Sequence, residues 1–341
     1  MNISCILATP SGWLDIAWTL EAVRQQSIAP ELEVLVVGQG PEPPGKPSAG
    51  SLGSLIWVDG GPWVHRATAA AIGIRAARNE LVALLENHAR PAPWWAEEVR
   101  AGLLQGYAGS AGRFVVENPA TMVSRIDVWL YYSYTIGMPS QGAPFESPVL
   151  PWHNVMYRRS LLLQLDRPLE WLLLPEERLQ QALRHRDHRF CLCPRAPFFH
   201  LNCSSQWISL LTSLETSRSA AVRRAKSWSR SRRWIYALLW PLLGMRRFQR
   251  RTMEFRGQLA SLGHPAEALM RLALVESAGA AGEAAGLVWG ENPDAFTTRH
   301  ELRLDHRLNS AELRDYEARG RRILGQATLG VRAPLDGATA K

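Results

Sequence analysis

The chain has 341 residues, 46% of them hydrophobic and 21% charged, with a formal net charge of +8. That balance excludes a disordered or fibrous chain, and the length exceeds what one small core needs. Four cysteines, Cys5, Cys191, Cys193 and Cys203, are too few for a disulfide framework at this length and read as reduced thiols of a cytosolic protein.

Ile3 to Ala8 predicts a buried strand, followed by a turn at Thr9-Pro10-Ser11-Gly12. A helical period then runs from Leu14 to about Gln26, with Ser11 or Asp15 as its cap. Leu32 to Val37 is a second strand, closed by Gly38-Gln39-Gly40, and a Pro/Gly/Ser loop runs from Pro41 to Gly53. Ser54 to Val58 is a short strand and Ala67 to Arg78 a small-residue helix. Leu81 to Leu85 is apolar without alternation, the pattern of a strand buried on both faces.

Trp94 to Gln105 predicts a helix and Gly109 to Val116 a strand, after which Glu117 to Pro148 reads as irregular and aromatic. Leu150 to Tyr157 returns to a strand-like run, and Arg159 to Leu165 is helical. Pro175 opens a helix to about Arg186, with acids in its first turn. Phe190 to Cys193 and Pro197 to Leu201 are the last strands. Cys191-x-Cys193 has the wrong spacing for a zinc knuckle, so zinc is not expected there. The order of apolar strands and helices predicts an α/β sheet with helices on its faces.

The charge is local. Eleven basic residues stand between Arg218 and Arg251 with no acid among them. Embedded in this run is Trp234 to Met245, apolar but only about a dozen residues long, which falls short of the ~20 needed to span a bilayer. Apolar aromatics flanked by arginine fit a helix lying on an anionic membrane better than they fit a nucleic-acid backbone. Ala266 to Trp289 predicts a helix on which Gly282, Gly286 and Gly290 recur every four residues. That spacing allows another helix to approach closely and suggests self-association. No basic n-region followed by an apolar segment is read at Met1.

Chemistry concentrates where the strand Leu81–Leu85 breaks into Glu86-Asn87-His88. Glu86 and His88, two apart on an extended chain, point the same way. Ligands of open α/β sheets sit outside the carboxyl ends of strands. Carboxylate and imidazole both ligate divalent metals, and His200 ends a later strand as a third ligand.

Taken in order, these motifs resemble the family 2 glycosyltransferases over roughly residues 1–203. The run from Ile74 to His88 looks like the segment leading to the family's D-x-D strand, with Glu86-Asn87-His88 in place of D-x-D. Pro91-Ala92-Pro93-Trp94-Trp95 looks like the proline and tryptophan that follow it. Leu150-Pro151-Trp152-His153-Asn154 and Tyr157-Arg158-Arg159 are similar to the L-P-G-H-N and Y-R-R motifs of a branch that carries E-D-H. Pro175-Glu176-Glu177 through His200 resembles the stretch from the catalytic acids to the histidine-ended strand. Gly38-Gln39 stands where the family has its base-reading acids.

The resemblance implies a GT-A nucleotide-sugar-binding fold, with a Rossmann-like mixed sheet and helices on both faces, in residues 1–205. A basic membrane-associating segment would follow in 206–256, a helical region in 257–329 and a disordered tail in 330–341. It implies glycosyl transfer, inverting, from a nucleotide sugar to a polysaccharide or lipid-linked acceptor at the cytosolic face of a bacterial membrane. The implied catalytic residues are Glu176 and Glu177. Glu86, His88 and His200 would hold Mn2+ or Mg2+. Thr9, Pro10, Gly38, Gln39 and Asn87 would bind the donor, and Trp152, His153 and Asn154 the sugar or acceptor, beside the aromatics of 129–134. No nucleic-acid partner is expected. The alternative implied by the altered motifs is an inactive relative acting as a binding or scaffold protein.

Overall fold

The computed structural model describes residues 1–63, 65–132, 135, 138–175, 177–292 and 307–325. Glu176, Tyr134 and the tail from 330 lie outside the described residues.

The protein is mixed α/β, built on one nine-stranded sheet. Strand β1 (Ile3–Thr9) pairs in parallel with β2 (Leu32–Gly38), and β2 with β3 (Ser54–Asp59). On its other side β1 pairs in parallel with β4 (Leu81–Leu85). Every residue of β1, β2 and β4 is buried, which is why these strands read as unbroken apolar runs. The helix α1 (Trp13–Arg24) packs on one face of the sheet and α2 (Arg66–Ala76) on the other. The small residues of α2 have a steric reason: a Cβ on Gly73 would crowd the Ile6 side chain of β1.

The sheet then turns antiparallel. Its order continues from β4 through β8 (Val155–Arg158), β6 (Gly109–Val116) and β9 (Phe190–His200) to β5 (Ala89–Pro91). A short strand β7 (Phe145–Ser147) also pairs with β9. The register between β6 and β9 jumps at Gly112, from Cys193 to Pro197. A side chain at Gly112 would overlap the Ala196 carbonyl, so glycine permits the bulge. The bulge lets one strand finish beside both β6 and β5, with His200 opposite Val116 and Ala89. The two expected strands at 190–193 and 197–201 are therefore one bent strand.

Helix α3 (Trp95–Leu104) covers β6 and β9. Two expectations differ from the structure. The stretch after Val116 contains a helix, α4 (Met122–Tyr131), whose N-cap Thr121 accepts a hydrogen bond from the Ser124 amide at 3.2 Å. The strand expected from Leu150 begins only at Val155, because Asn154 has φ 60 and turns the chain. Short helices α5 (Arg159–Leu163) and α6 (Leu169–Leu172) lead to α7 (Glu177–Arg184).

A helical layer closes the molecule. It comprises α8 (Gln206–Arg224), α9 (Arg230–Leu238), α10 (Trp240–Glu254), α11 (Arg256–Ser261) and α12 (Pro265–Trp289). The glycine face of α12 is filled by α8 of the same chain. A Cβ on Gly282 would overlap the Leu214 carbonyl and one on Gly286 the Arg218 carbonyl. Gly290 is the C-cap, at φ 84. The self-association expected of this helix is thus corrected: its close-approach face already has an intramolecular partner. No described helix is long and apolar enough to cross a membrane. Finally α13 (Ser310–Ile323) returns to α1, where Tyr316 packs edge-on against Trp18.

Candidate metal centre and cavity

The all-apolar β4 cannot place a charge within the sheet, so the first polar residue falls just past its carboxyl end. That residue is Glu86, 3% exposed. β5 begins three residues on, and its pairing with β9 sets Ala89 opposite His200. The sheet thereby brings together three side chains from two strand ends. Ligand atoms of Glu86, His88 and His200 all lie within 4.8 Å of one another. His200 Nε2 is 3.1 Å from Glu86 Oε2, and His88 Nε2 is 3.8 Å from Oε1. His153 Nε2 approaches the same Oε1 to 3.4 Å.

The neighbours fix which ring nitrogen carries the proton. His88 Nδ1 lies 2.8 Å from the Asn87 amide oxygen, and His200 Nδ1 2.6 Å from that of Asn202. An amide oxygen only accepts, so each Nδ1 donates and each Nε2 bears a lone pair. Both Nε2 atoms are buried and lack a hydrogen-bond partner among the described residues. Two imidazole lone pairs therefore face one carboxylate, an arrangement that repels itself unless a cation or proton lies between.

Burial would raise the Glu86 carboxyl, but His153, His88 and His200 outweigh it and hold it well below the usual carboxylate range. Burial holds His88 well below the usual imidazole value, and it brings His153 down to about 3 with help from Arg66. A carboxylate beside imidazole nitrogens is the donor set of a divalent cation. Glu86 is also held from behind: Asn154 donates from Nδ2 to Oε2 and accepts from the Glu86 amide, both at 2.9 Å.

Beside this corner lies a cavity of about 650 Å³. Glu86, Trp152 and His153 line it from the sheet side, Asp127 and Tyr131 from α4 and Tyr132 from its C-cap, and Arg247, Arg251 and Glu276 from the helical layer. Glu276 is buried between Arg247 at 2.8 Å and Arg251 at 3.3 Å. Burial raises the Asp127 carboxyl, opposed by the charge of Arg307. Asp127, Arg307 and Glu276 escaped the sequence reading. Thr121 before an apolar period was the available signal for α4; Arg307 is far along the chain and carried none.

The other expected residues fall as follows. Asn87 is wholly buried and orients His88. Asn154, 1% exposed, is committed to Glu86 behind the cavity wall. Thr9 staples its own turn, donating to the Gly12 carbonyl at 2.9 Å and accepting from the Gly12 amide at 3.0 Å. Pro10 follows at the end of β1. At the end of β2, Gly38 backs against the Trp57 ring, its carbonyl accepts from Trp63 Nε1 at 3.1 Å, and Gln39 donates to the Trp63 carbonyl. None of Thr9, Pro10, Gly38, Gln39 or Asn87 lines the cavity among the described residues. Glu177 is exposed at the start of α7, where its carboxylate accepts from Gln181, and its neighbours Pro175 and Arg178 line the cavity. Trp129 is buried and stacks on Phe255 at 5.3 Å.

No family model matches the chain, and no curated protein matches it. Among solved structures, a similar one is the crystal structure of GalNAc-T7 with UDP, GalNAc and Mn2+, at 10% identity and a TM-score of 0.42 over 59% of this chain and 44% of that one. The matched region spans less than half of that chain, and a likeness at this level bears on neither substrate nor mechanism.

Proposed function

We propose that the protein transfers a glycosyl group from a nucleoside diphosphate sugar to an acceptor held in the cavity, using a GT-A arrangement and a divalent cation at Glu86, His88 and His200. The observation that carries this reading is the pair of buried, lone-pair-bearing Nε2 atoms aimed at Glu86 beside an open cavity. A bound cation would neutralise charge developing on a leaving diphosphate. Asn154 orients the Glu86 carboxylate, and Asn87 and Asn202 keep His88 and His200 in the ligating tautomer. Arg66, Arg178 and Arg307 on the cavity wall suit an anionic substrate.

Inverting transfer requires a carboxylate to take the acceptor proton. Asp127, on the cavity wall with its pKa raised by burial, suits that task. Glu176, adjoining Pro175 of the wall, is the base that the motif order suggests. The polar and apolar lining of the cavity fits a glycan or lipid-linked acceptor.

The test is nucleoside diphosphate release from UDP-, GDP- and dTDP-sugars with and without manganese. Manganese-dependent release that is lost in Glu86→Gln supports the reading, and Asp127→Asn set against Glu176→Gln identifies the base. Absence of both turnover and donor binding with every nucleotide would sink it. A second reading, a non-catalytic binding protein, is favoured by Trp57 and Trp63, which pack against Gly38 and Gln39 where donor contacts were expected. It predicts donor or glycan binding without turnover.

A further inference from the structure

Helices α9 and α10 join with almost no break: the Leu239 amide donates to the Ile235 carbonyl at 3.2 Å, and the Leu243 amide to the Leu239 carbonyl at 3.0 Å. Their inner side is set by Ala237 and Gly244, both buried; a Cβ on Gly244 would lie 3.3 Å from Ala280 of α12. The outer side is apolar and open. Ile235 is 58% exposed, Leu238 74%, Leu242 57% and Met245 53%. The spacing of Leu238, Leu242 and Met245 puts them on one helical face. Trp234 and Trp240 add two half-exposed indoles.

The surround is basic. Lys226, Arg230, Arg246 and Arg250 are exposed and form no ion pair among the described residues. The contrast with Arg247 and Arg251 on the same helix is informative. Those two turn inward, to the buried Glu276 and the cavity. One helix thus carries a neutralised inner set of cations and an unpaired outer set beside an apolar stripe.

A protein partner would satisfy the apolar stripe but gives no reason for uncompensated arginines around it. An anionic bilayer satisfies both, since apolar side chains and indoles enter the interface while guanidinium groups meet phosphates. We infer that the α9–α10 face docks on the surface of an anionic lipid bilayer, lying in its plane. α10 would then carry the bilayer contact on one side and a wall of the substrate cavity on the other. This inference is independent of the proposed chemistry, and its test does not use activity.

The test is co-sedimentation of the full chain with vesicles of phosphatidylcholine alone and of phosphatidylcholine with phosphatidylglycerol. Binding should require the anionic lipid and weaken at high salt. Leu238→Glu/Leu242→Glu should lower partitioning by about tenfold or more, because it removes apolar insertion and adds like charge to the lipid. Arg246→Glu/Arg250→Glu should do the same without touching the stripe. A melting curve unchanged from wild type shows that each variant folds, since none of these side chains is buried. Equal binding to neutral vesicles, no binding to anionic ones, or undiminished binding of both folded variants would overturn the inference. So would salt-sensitive binding of RNA with no binding of vesicles, or a change from dimer to monomer in Leu238→Glu/Leu242→Glu with vesicle binding intact.

Discussion

Asn154 grips Glu86 twice, its amide nitrogen donating to the carboxylate and its amide oxygen accepting from the Glu86 backbone, each at 2.9 Å. It does so from a left-handed conformation, φ 60, while its own amide donates to the Leu84 carbonyl at 2.7 Å. The strained turn before β8 and the ligand at the end of β4 are therefore one unit. Asn154→Gly keeps the backbone conformation but removes the clamp and leaves a buried amide unpaired. It should cost about 1–3 kcal/mol in urea unfolding and also reduce the thermal shift caused by manganese. A stability loss with an undiminished manganese shift would limit Asn154 to a structural role.

Tyr316 ties the far end of the chain to the same corner. Its hydroxyl lies 2.7 Å from the Asp15 carbonyl oxygen and 3.0 Å from that of Asn87. Tyr316→Phe should cost about 1 kcal/mol and raise hydrogen exchange in α13 first. Unchanged protection in α13 would show that the helix is held by other contacts, such as Gly320 against Leu14.

The close packing of α8 on α12 gives a stability prediction. Gly282→Val drives two branches toward the Leu214 backbone, which cannot retreat without separating the helices. The melting temperature should fall sharply, by the equivalent of about 1–3 kcal/mol or more. Gly290→Ala should perturb less, by C-cap strain alone, since nothing among the described residues lies near its Cβ position. Equal effects at both positions would count against a tight α8–α12 contact.

The cysteines give a pH prediction. Burial first, then Glu33, pushes the Cys5 thiol up to about 12; burial, then Asp127, does the same for Cys203. Both thiols should resist alkylation in the native state at pH 8 and react once denatured. Folding favours the neutral thiol. Its contribution to stability is thus complete below the ordinary thiol value of 9.0 and is lost as pH rises from there through about 12. Rapid native-state alkylation of Cys203, which lines the cavity, would contradict the assigned burial.

Sequence and structure agree where burial on both faces leaves an unmistakable apolar run, as in β1, β2 and β4. Glu86 and His88 were legible for the same reason, because the run stops at them. His200 was legible as a strand end, but not the bulge at Gly112 that carries it there. Asn154 is legible as a polar residue of the Leu150-Pro151-Trp152-His153-Asn154 run. Its task was hidden, because orienting a ligand depends on a turn that local propensity does not report. The glycine spacing of α12 correctly signalled close helix approach, but spacing cannot say whether the partner is α8 or another copy. Asp127 and Arg307 were missed because their meeting depends on distant parts of the chain.

The most direct measurement is manganese binding to the full chain, followed by the loss of the free-ion electron paramagnetic resonance signal, in wild type and in His88→Ala, His200→Ala and Glu86→Gln. Saturable binding by the wild type that falls at least about tenfold in each variant, with metal-free melting temperatures little changed, is the result expected of a cation site at Glu86, His88 and His200. Absence of binding by the wild type, or binding that survives all three substitutions, would contradict it.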